Sequence, residues 1–591
     1  MKSVQNLLSK LFIPRHIGLA VVIIVSLAAI SPLVRTINKI NTNDDFLQLA
    51  TRHLLVRNSI INDHQMPMRT NYLGGGYPTI ADPEDPTLSP FVLLTIMFGE
   101  IAGLKLIAVI LFLTGAISMY YFARNVLKFN YLGAVFSALA LSLSGWFPKR
   151  VNGGNINELY FFLTPLALLL FEKYLADKKY LLLVSVILAA IAMDGKIVFP
   201  VMMLFLFCYA VIQGIEIDAK KIVVKKEYFK GYLFVLFSTL LLAAVKIIPV
   251  LTLFKMKGAF LFPTIDSHNH AVVFGRSEDL IAAIIGPPGK LYIGVVVFVL
   301  FVLVSSVYFK RHFKWLLAGL ICIFMYLGPN GPLDIFYSLW KLPLVNTMDK
   351  PNKYLSYFIL FITAAVGGGF FEFLKDTLKK NRVKFYLIGS AIVCAAIAPL
   401  FLFSFSTYTK TFDMIKTPVK KYEFSQMWIG NEKVSGGSMY FNLLRNTGTI
   451  DWYGAIKLPE NAVPKVLVKD VDNKPDTVLN PAYKGEVFFV TSGGDIESIV
   501  STGVEMRPNS IKLNVKADRP GTIVINQNYQ EGWKAYGDHL LAPYKGLLGV
   551  KISSPGDYKI DLRYGFPGFY WGLIISFLTF IILLLKTLFV R

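Results

Sequence analysis

Asp44 and Asp45 stand shortly after the first long apolar run, in the stretch Asn41-Thr42-Asn43-Asp44-Asp45-Phe46-Leu47-Gln48. A carboxylate held at a membrane surface can take the proton from an acceptor hydroxyl while that oxygen attacks a sugar carbon. The same residues suit a second role, because Asp before an apolar-periodic segment caps a helix, here one opening at Phe46. One Asp could cap while the other reacts. A phosphate leaving group would need cationic partners, and Arg52, Arg57, Arg69, Lys149, Arg150, Arg276, Lys350 and Lys353 all fall on the same side of the topology as Asp44. Lys350 and Lys353 immediately precede an apolar segment, which sets them at headgroup level. Lipid phosphates lie there, and ordinary headgroup contact would hold such lysines equally well.

Asp82, Glu84 and Asp85, stiffened by Pro83 and Pro86, are hard oxygen ligands that could hold a divalent cation; acidic turns also occur without metal. His268 and His270 could ligate a metal, line a cavity or sit on an exposed loop. Lys105, Glu158, Asp194, Lys196 and Lys246 lie near the outer ends of apolar segments, and charge at that depth commonly marks function. Their shared side suggests an outward-facing polar cavity; snorkelling lysines and helix-end charges are the structural alternative. Cys208, Cys322 and Cys394 lie in apolar stretches without metal-ligand spacing. No glycine-rich stretch has the flanking strand and helix of a nucleotide-binding loop.

The elements that must position these groups are mostly membrane helices. The 591 residues are 54% hydrophobic and 17% charged, against about a quarter charged in soluble domains, and this excludes a soluble enzyme. Apolar segments near 17–35, 104–123, 130–147, 157–174, 179–195, 197–215, 231–254, 291–309, 314–328, 355–374, 385–405 and 568–589 predict about twelve spans. Lys and Arg outnumber Asp and Glu by 60 to 38, and the excess gathers in alternate short loops, such as Lys178-Lys179 and Lys310-Arg311. Those loops read as cytoplasmic, with both chain termini on their side, so the basic charge is a topology signal rather than a nucleic-acid surface. A crossing at Leu88 to Gly103 would invert every later loop, so that segment is expected to be interfacial or re-entrant. Domains follow as 1–405, transmembrane with a first outer loop over 36–103; 406–566, outer; and 567–591, a final transmembrane helix. In the outer domain Ile511, Leu513 and Val515 alternate with Lys512, Asn514 and Lys516, and turn signals such as Pro555-Gly556 break it into short strands. This predicts an extracytoplasmic β-sandwich-like unit.

Several motifs in one order resemble the bacterial YfhO-like polytopic membrane proteins, themselves similar to GT-C glycosyltransferases that use polyprenyl-phosphate sugars. They are Asp44 to Gln48, Gly76-Tyr77-Pro78, Leu88-Ser89-Pro90, Pro287-Pro288-Gly289 with Tyr292-Ile293-Gly294, Asp349-Lys350-Pro351-Asn352-Lys353, Gln530-Glu531-Gly532-Trp533-Lys534-Ala535-Tyr536, Ser554-Pro555-Gly556 and Leu562-Arg563-Tyr564. The chain departs from the family in carrying Asp349-Lys350 where an arginine-led run is expected, and Asn155-Ile156-Asn157 where a Gly-His pair is common. The resemblance implies a GT-C-like helical bundle in the cytoplasmic membrane. It also implies inverting transfer of a sugar from a polyprenyl-phosphate donor to an envelope glycan, lipid or protein on the outer face, with no certain cofactor. Asp44 would be the base, Asp45 its rival, and Lys350, Lys353 and Arg52 would hold the donor phosphate. Two other readings stay open: a flippase for a lipid-linked precursor, which would show paired broken helices and internal repeats, and a non-catalytic envelope assembly factor whose outer aromatics stack on sugars.

Overall fold

The computed structural model describes residues 14–195, 197–218, 221–256, 274–285, 291–340, 350–378, 381–415, 419–429, 435–452, 458–471, 474–499, 501–537 and 539–589. Among them, eight helices are long and apolar enough to cross a bilayer: His16–Arg35, Glu100–Asn125, Tyr131–Asn152, Ile156–Ala176, Phe309–Asn330, Pro351–Thr377, Arg382–Thr411 and Phe569–Phe589. Lys226–Leu242 and Ala244–Met256 form one further apolar pair, bent by 75°. The other three expected spans are helical but short: Leu181–Ala192, Val198–Gly214 and Val295–Val307 have 12, 17 and 13 residues. At 1.5 Å per residue each covers less than the roughly 30 Å of a hydrocarbon core. The twelve apolar runs thus become eight full-length helices, one bent pair and three short helices, because apolar run length also counts residues in the flanking turns.

The segment from Leu88 to Gly103 holds the seven-residue helix Val92–Phe98, and Gly99, at φ +88°, separates it from Glu100–Asn125. A helix of that size is about 10 Å long, too short to cross alone.

The helix ends form two separately bonded groups. In one, Thr411 Oγ1 donates to Asn152 Oδ1 at 3.2 Å, Asn41 Nδ2 donates to Asn152 O at 3.0 Å, and Lys39–Ile40 pairs antiparallel with Met414–Ile415. In the other, Asn130 Nδ2 donates to Phe371 O at 2.8 Å and Lys314 Nζ to Gln213 O at 3.0 Å. The first group holds the ends that sequence reading places outside, and the second those it places inside.

The region after residue 411 combines two β units. Ser510–Ala517 buries Ile511, Leu513 and Val515 and exposes Lys512, Asn514 and Lys516, as a strand with one wet face must. It pairs with Ser501–Arg507 and Gly556–Tyr564, and Trp533–Tyr536 completes a four-stranded antiparallel sheet. This sheet shares one apolar core with a five-stranded sheet running from Ile496–Ser498 through Val487–Thr491, Gly521–Asn528 and Leu547–Ile552 to Leu540–Leu541. The expected sandwich therefore occupies residues 487–564. Before it lies a mixed sheet in which Ser425–Ile429 pairs in parallel with Thr447–Thr449 and Val466–Val471, and the helix Gly436–Leu444 makes the crossover between the first two. Ser425–Ile429 is half-buried along most of its length, Thr447–Thr449 is wholly buried and residues 476–479 are exposed, so no strand of this sheet shows the alternation that a period-two pattern needs. The helix Arg382–Thr411 also continues past residue 405, where the apolar run ends.

The loop before the helix Glu100–Asn125 joins these parts. Gly75 has φ +70°, and a Cβ there would lie 2.3 Å from the Ala462 Cβ, so only glycine allows the close approach. Around it Gly74 N donates to Thr449 O of the mixed sheet at 2.8 Å, and Asn528 N of the sandwich donates to Gly75 O at 2.7 Å.

Candidate functional site

The turn that presents Asp44 and Asp45 is built by asparagines. Asn41 Nδ2 donates to the carbonyls of Val151 and Asn152, and Asn41 Oδ1 accepts from Asn43 N at 3.0 Å. Asn43 is the N-cap of the helix Asp44–Ile61, its side chain accepting from Asp45 N at 3.1 Å. Both aspartates therefore lie in the first turn, where the helix dipole favours a carboxylate. Two glycines clasp this turn from opposite sides. A Cβ on Gly154 would lie 2.3 Å from Phe46 N, and one on Gly436 1.9 Å from Asp44 O.

The two carboxylates then diverge. Asp44 is exposed and accepts from Gly437 N at 3.3 Å, at the N-terminus of the helix Gly436–Leu444. Asp45 is half-buried and accepts from Asn155 Nδ2 at 2.6 Å. Asn155 Oδ1 in turn accepts from Arg150 Nη1 at 3.3 Å, and the same Arg150 nitrogen pairs with Glu158 at 3.1 Å. Glu158 also pairs with Lys353. Asp45, Asn155, Arg150, Glu158 and Lys353 thus form one connected series, balanced at two negative and two positive charges.

Local structure explains the series. The helix Trp146–Asn152 ends at Gly153 and the left-handed Gly154, which turns the chain so that Arg150, Asn155 and Glu158 face one another. Pro351 starts the helix Pro351–Gly367 and puts Lys353 in its first turn, where the Lys353 carbonyl accepts from Trp146 Nε1 at 3.2 Å. Lys350, at the N-cap, is exposed. Arg150 is 2% exposed, and its Nε and Nη2 have no hydrogen-bond partner among the described residues. A guanidinium has five donors, so this side chain retains capacity for an anion.

Arg52 lies in a second cluster. Its guanidinium pairs with Asp82 at 2.8 Å and Glu84 at 3.0 Å and sits 5.5 Å from the Trp452 ring centre. Burial opposes the charged form of Arg52, but Asp82 and Glu84 overcome it and hold the pKa above its ordinary value. Burial likewise opposes ionised Asp82, and Arg52 outweighs it, leaving the carboxyl below its usual range. Asp85 is pushed up to about 6 by burial, which Lys246 offsets only in part. Lys246 Nζ donates to the carbonyls of Asp82 at 2.7 Å and Asp85 at 2.9 Å. Beside it Asp194 accepts from Tyr160 OH at 2.7 Å. Of the carboxylates considered as metal ligands, Asp82 and Glu84 face Arg52, Asp82 also accepts from Tyr77 OH at 3.1 Å, and Asp85 accepts from Thr87 N at 3.0 Å; no three His, Cys, Asp or Glu side chains converge as a metal site among the described residues.

Of the remaining candidates, Lys105 donates to the carbonyls of Thr36 and Lys39, closing the end of the first helix. Lys196, His268, His270, Asp349 and Pro287-Pro288-Gly289 lie outside the described residues. Trp533, a candidate for stacking on sugar, is buried with the Arg69 guanidinium 4.8 Å from its ring centre. Sequence reading missed Asn155 as a bridge and Gly154 and Gly436 as a clasp. Their partners lie more than a hundred residues away, and no local pattern marks them.

No family model matches this chain, and no curated protein matches its sequence. Among solved structures, it is similar to the oligosaccharyltransferase of Archaeoglobus fulgidus in the apo form, at 11% identity and a TM-score of 0.46, over 82% of this chain and 74% of that one. It is similar to the same degree, at 13% identity, a TM-score of 0.46 and the same coverage, to archaeal oligosaccharyltransferase AglB from Archaeoglobus fulgidus in complex with an inhibitory peptide and a dolichol-phosphate. Likeness at this level transfers neither the fold nor the activity of those enzymes to this chain.

Proposed function

We propose that this protein is a GT-C-like membrane glycosyltransferase that transfers a sugar from a polyprenyl-phosphate donor to an acceptor hydroxyl on the outer face of the cytoplasmic membrane. The observation that carries this reading is the series from Asp45 through Asn155, Arg150 and Glu158 to Lys353, which connects a half-buried carboxylate through a buried arginine to a lysine at the start of a membrane helix. Asp45 accepts the acceptor's proton as the oxygen bonds to the anomeric carbon, and the bond from that carbon to the phosphate oxygen breaks with inversion. Charge accumulating on the leaving lipid phosphate is stabilised by Lys353 and by the unsatisfied edge of Arg150. Glu158 holds both cations in place. Asp44, opposite a helix N-terminus, supports the turn, and Lys350 adds a cation at headgroup level. Arg52, engaged by Asp82 and Glu84, fixes the outer loop.

The test is transfer of labelled sugar from a polyprenyl-phosphate donor in proteoliposomes. Lys353→Ala should raise the donor concentration needed for half-maximal rate about tenfold or more while leaving the protein folded. Full transfer by both Asp45→Asn and Asp44→Asn would remove the proposed base and with it this mechanism. The bent pair 226–256 is the feature a transporter would share, but its Lys246 is committed to the carbonyls of Asp82 and Asp85.

A further inference from the structure

Between the mixed sheet and the sandwich lies a cleft of about 380 Å³, within the range of small-ligand sites. Three separate stretches build it. The first outer loop supplies Asn71 and Tyr72, the mixed-sheet unit Phe424 and Asn446, and the sandwich Glu486 and Ser501. The Tyr72 and Phe424 rings meet edge to face, their centres 5.3 Å apart and their planes at 87°, and both remain partly exposed. Tyr72 OH donates to Asn446 Oδ1 at 2.7 Å, which fixes the ring. The Glu486 carboxylate accepts from Tyr483 OH at 3.0 Å, from Asn526 Nδ2 at 3.4 Å and from the backbone N–H of Gln426. The two oxygens together offer about four acceptor sites, so one remains for a ligand.

Aromatic faces beside a carboxylate and side-chain amides suit a ligand with apolar C–H faces and many hydroxyls. We propose that this cleft is a carbohydrate-binding site distinct from the candidate catalytic centre, with a sugar ring against Tyr72 and Phe424 and its hydroxyls held by Glu486 and Asn446. Its position suits a glycan acceptor. The helix Gly436–Leu444 meets Asp44 at one end and leads to Asn446 at the other, and nine residues span about 13 Å. A chain held in the cleft could extend its reacting end toward Asp45. That use rests on the transferase reading, whereas sugar binding does not.

The experiment measures binding by the full chain in lipid nanodiscs, with no lipid-linked donor present. Gluco-, galacto- and N-acetylglucosamine trisaccharides are titrated and followed by saturation-transfer NMR and calorimetry. At least one should bind with a Kd on the order of 1 mM or tighter. Tyr72→Ala and Glu486→Gln should each weaken that binding about tenfold, while Tyr72→Phe keeps the ring and most of the affinity. Ser501→Trp, on an edge strand, fills the cleft without removing a contact and should abolish binding even if another variant misfolds. Absence of binding by all three sugars, or binding that Ser501→Trp leaves intact, would overturn the proposal. Because no donor is present, this result is independent of the transfer assay: loss of binding leaves the transferase reading standing, and loss of transfer leaves the binding site standing.

Discussion

Glu158 separates the two candidate bases more clearly than either aspartate does alone. It gathers Arg150 and Lys353, and Arg150 reaches Asp45 through Asn155, whereas Asp44 turns toward the backbone of Gly437. Asp45→Asn should therefore slow transfer by about a hundredfold or more, the usual range for losing a general base, with donor binding nearly unchanged. Asp44→Asn keeps an acceptor oxygen for Gly437 N and should retain most activity; the two rates, measured side by side in proteoliposomes, check the assignment. A second residue-level expectation concerns Glu486, whose carboxyl burial pushes up to about 7. A carboxyl with a raised folded-state pKa binds its proton more tightly when folded, so stability falls as pH rises from about 4.5 to 7 and then levels off. The change should be on the order of 3 kcal/mol at most. Unfolding of the outer domain followed by tryptophan fluorescence should show this slope, and Glu486→Gln should flatten it.

At the scale of elements, position depends on close approach more than on side-chain chemistry. Gly154 and Gly436 let two segments touch the backbone of the first turn of Asp44–Ile61, and neither approach leaves room for a methyl group. Gly436→Ala should push the helix Gly436–Leu444 away from Asp44, and Gly154→Ala should in addition strain a left-handed residue at φ +80°. Each should lower activity several-fold while the membrane helices stay assembled, which disulfide trapping between residues 41 and 152, substituted by cysteine, would show. The sequence makes the helices and the sandwich strands legible, because apolar runs and alternation are local signals; the turn before Phe46 is read only in part, since Asn43 rather than an aspartate caps a helix that opens at Asp44. It leaves the mixed sheet unread, since its short strands are half-buried, wholly buried or exposed and carry no alternation. The Arg150–Glu158–Lys353 group is half legible: each residue stands out as an ionisable group near a span end, but nothing in their spacing pairs residue 158 with residue 353. The pairing of Arg52 with Asp82 and Glu84 is not legible either, because these partners appear in sequence as an independent acidic turn.

For the whole molecule, the decisive feature is that one loop unites three bodies. Residues 62–86 bond to the apolar helices through Lys246, to the mixed sheet through Thr449 and to the sandwich through Asn528, so the candidate turn at Asp44, the cleft and the helices are tied together. Sugar transfer at a lipid headgroup requires that relation to lie on one side of the membrane. The basic residues gathered at one of the two separately bonded groups of helix ends lead us to expect Asp44 and the β units outside and the loops at Lys128, Lys179 and Lys310 inside. Replacement of Cys208, Cys322 and Cys394 by serine, followed by single cysteines at Thr42, Lys512, Lys128 or Lys179, makes this measurable. A membrane-impermeant maleimide applied to intact cells should label Thr42→Cys and Lys512→Cys, and should reach Lys128→Cys and Lys179→Cys only after permeabilisation. The reverse pattern would put the proposed base in the cytosol, away from a donor presented on the outer leaflet, and no rearrangement of the residues around Asp45 could then restore the reaction.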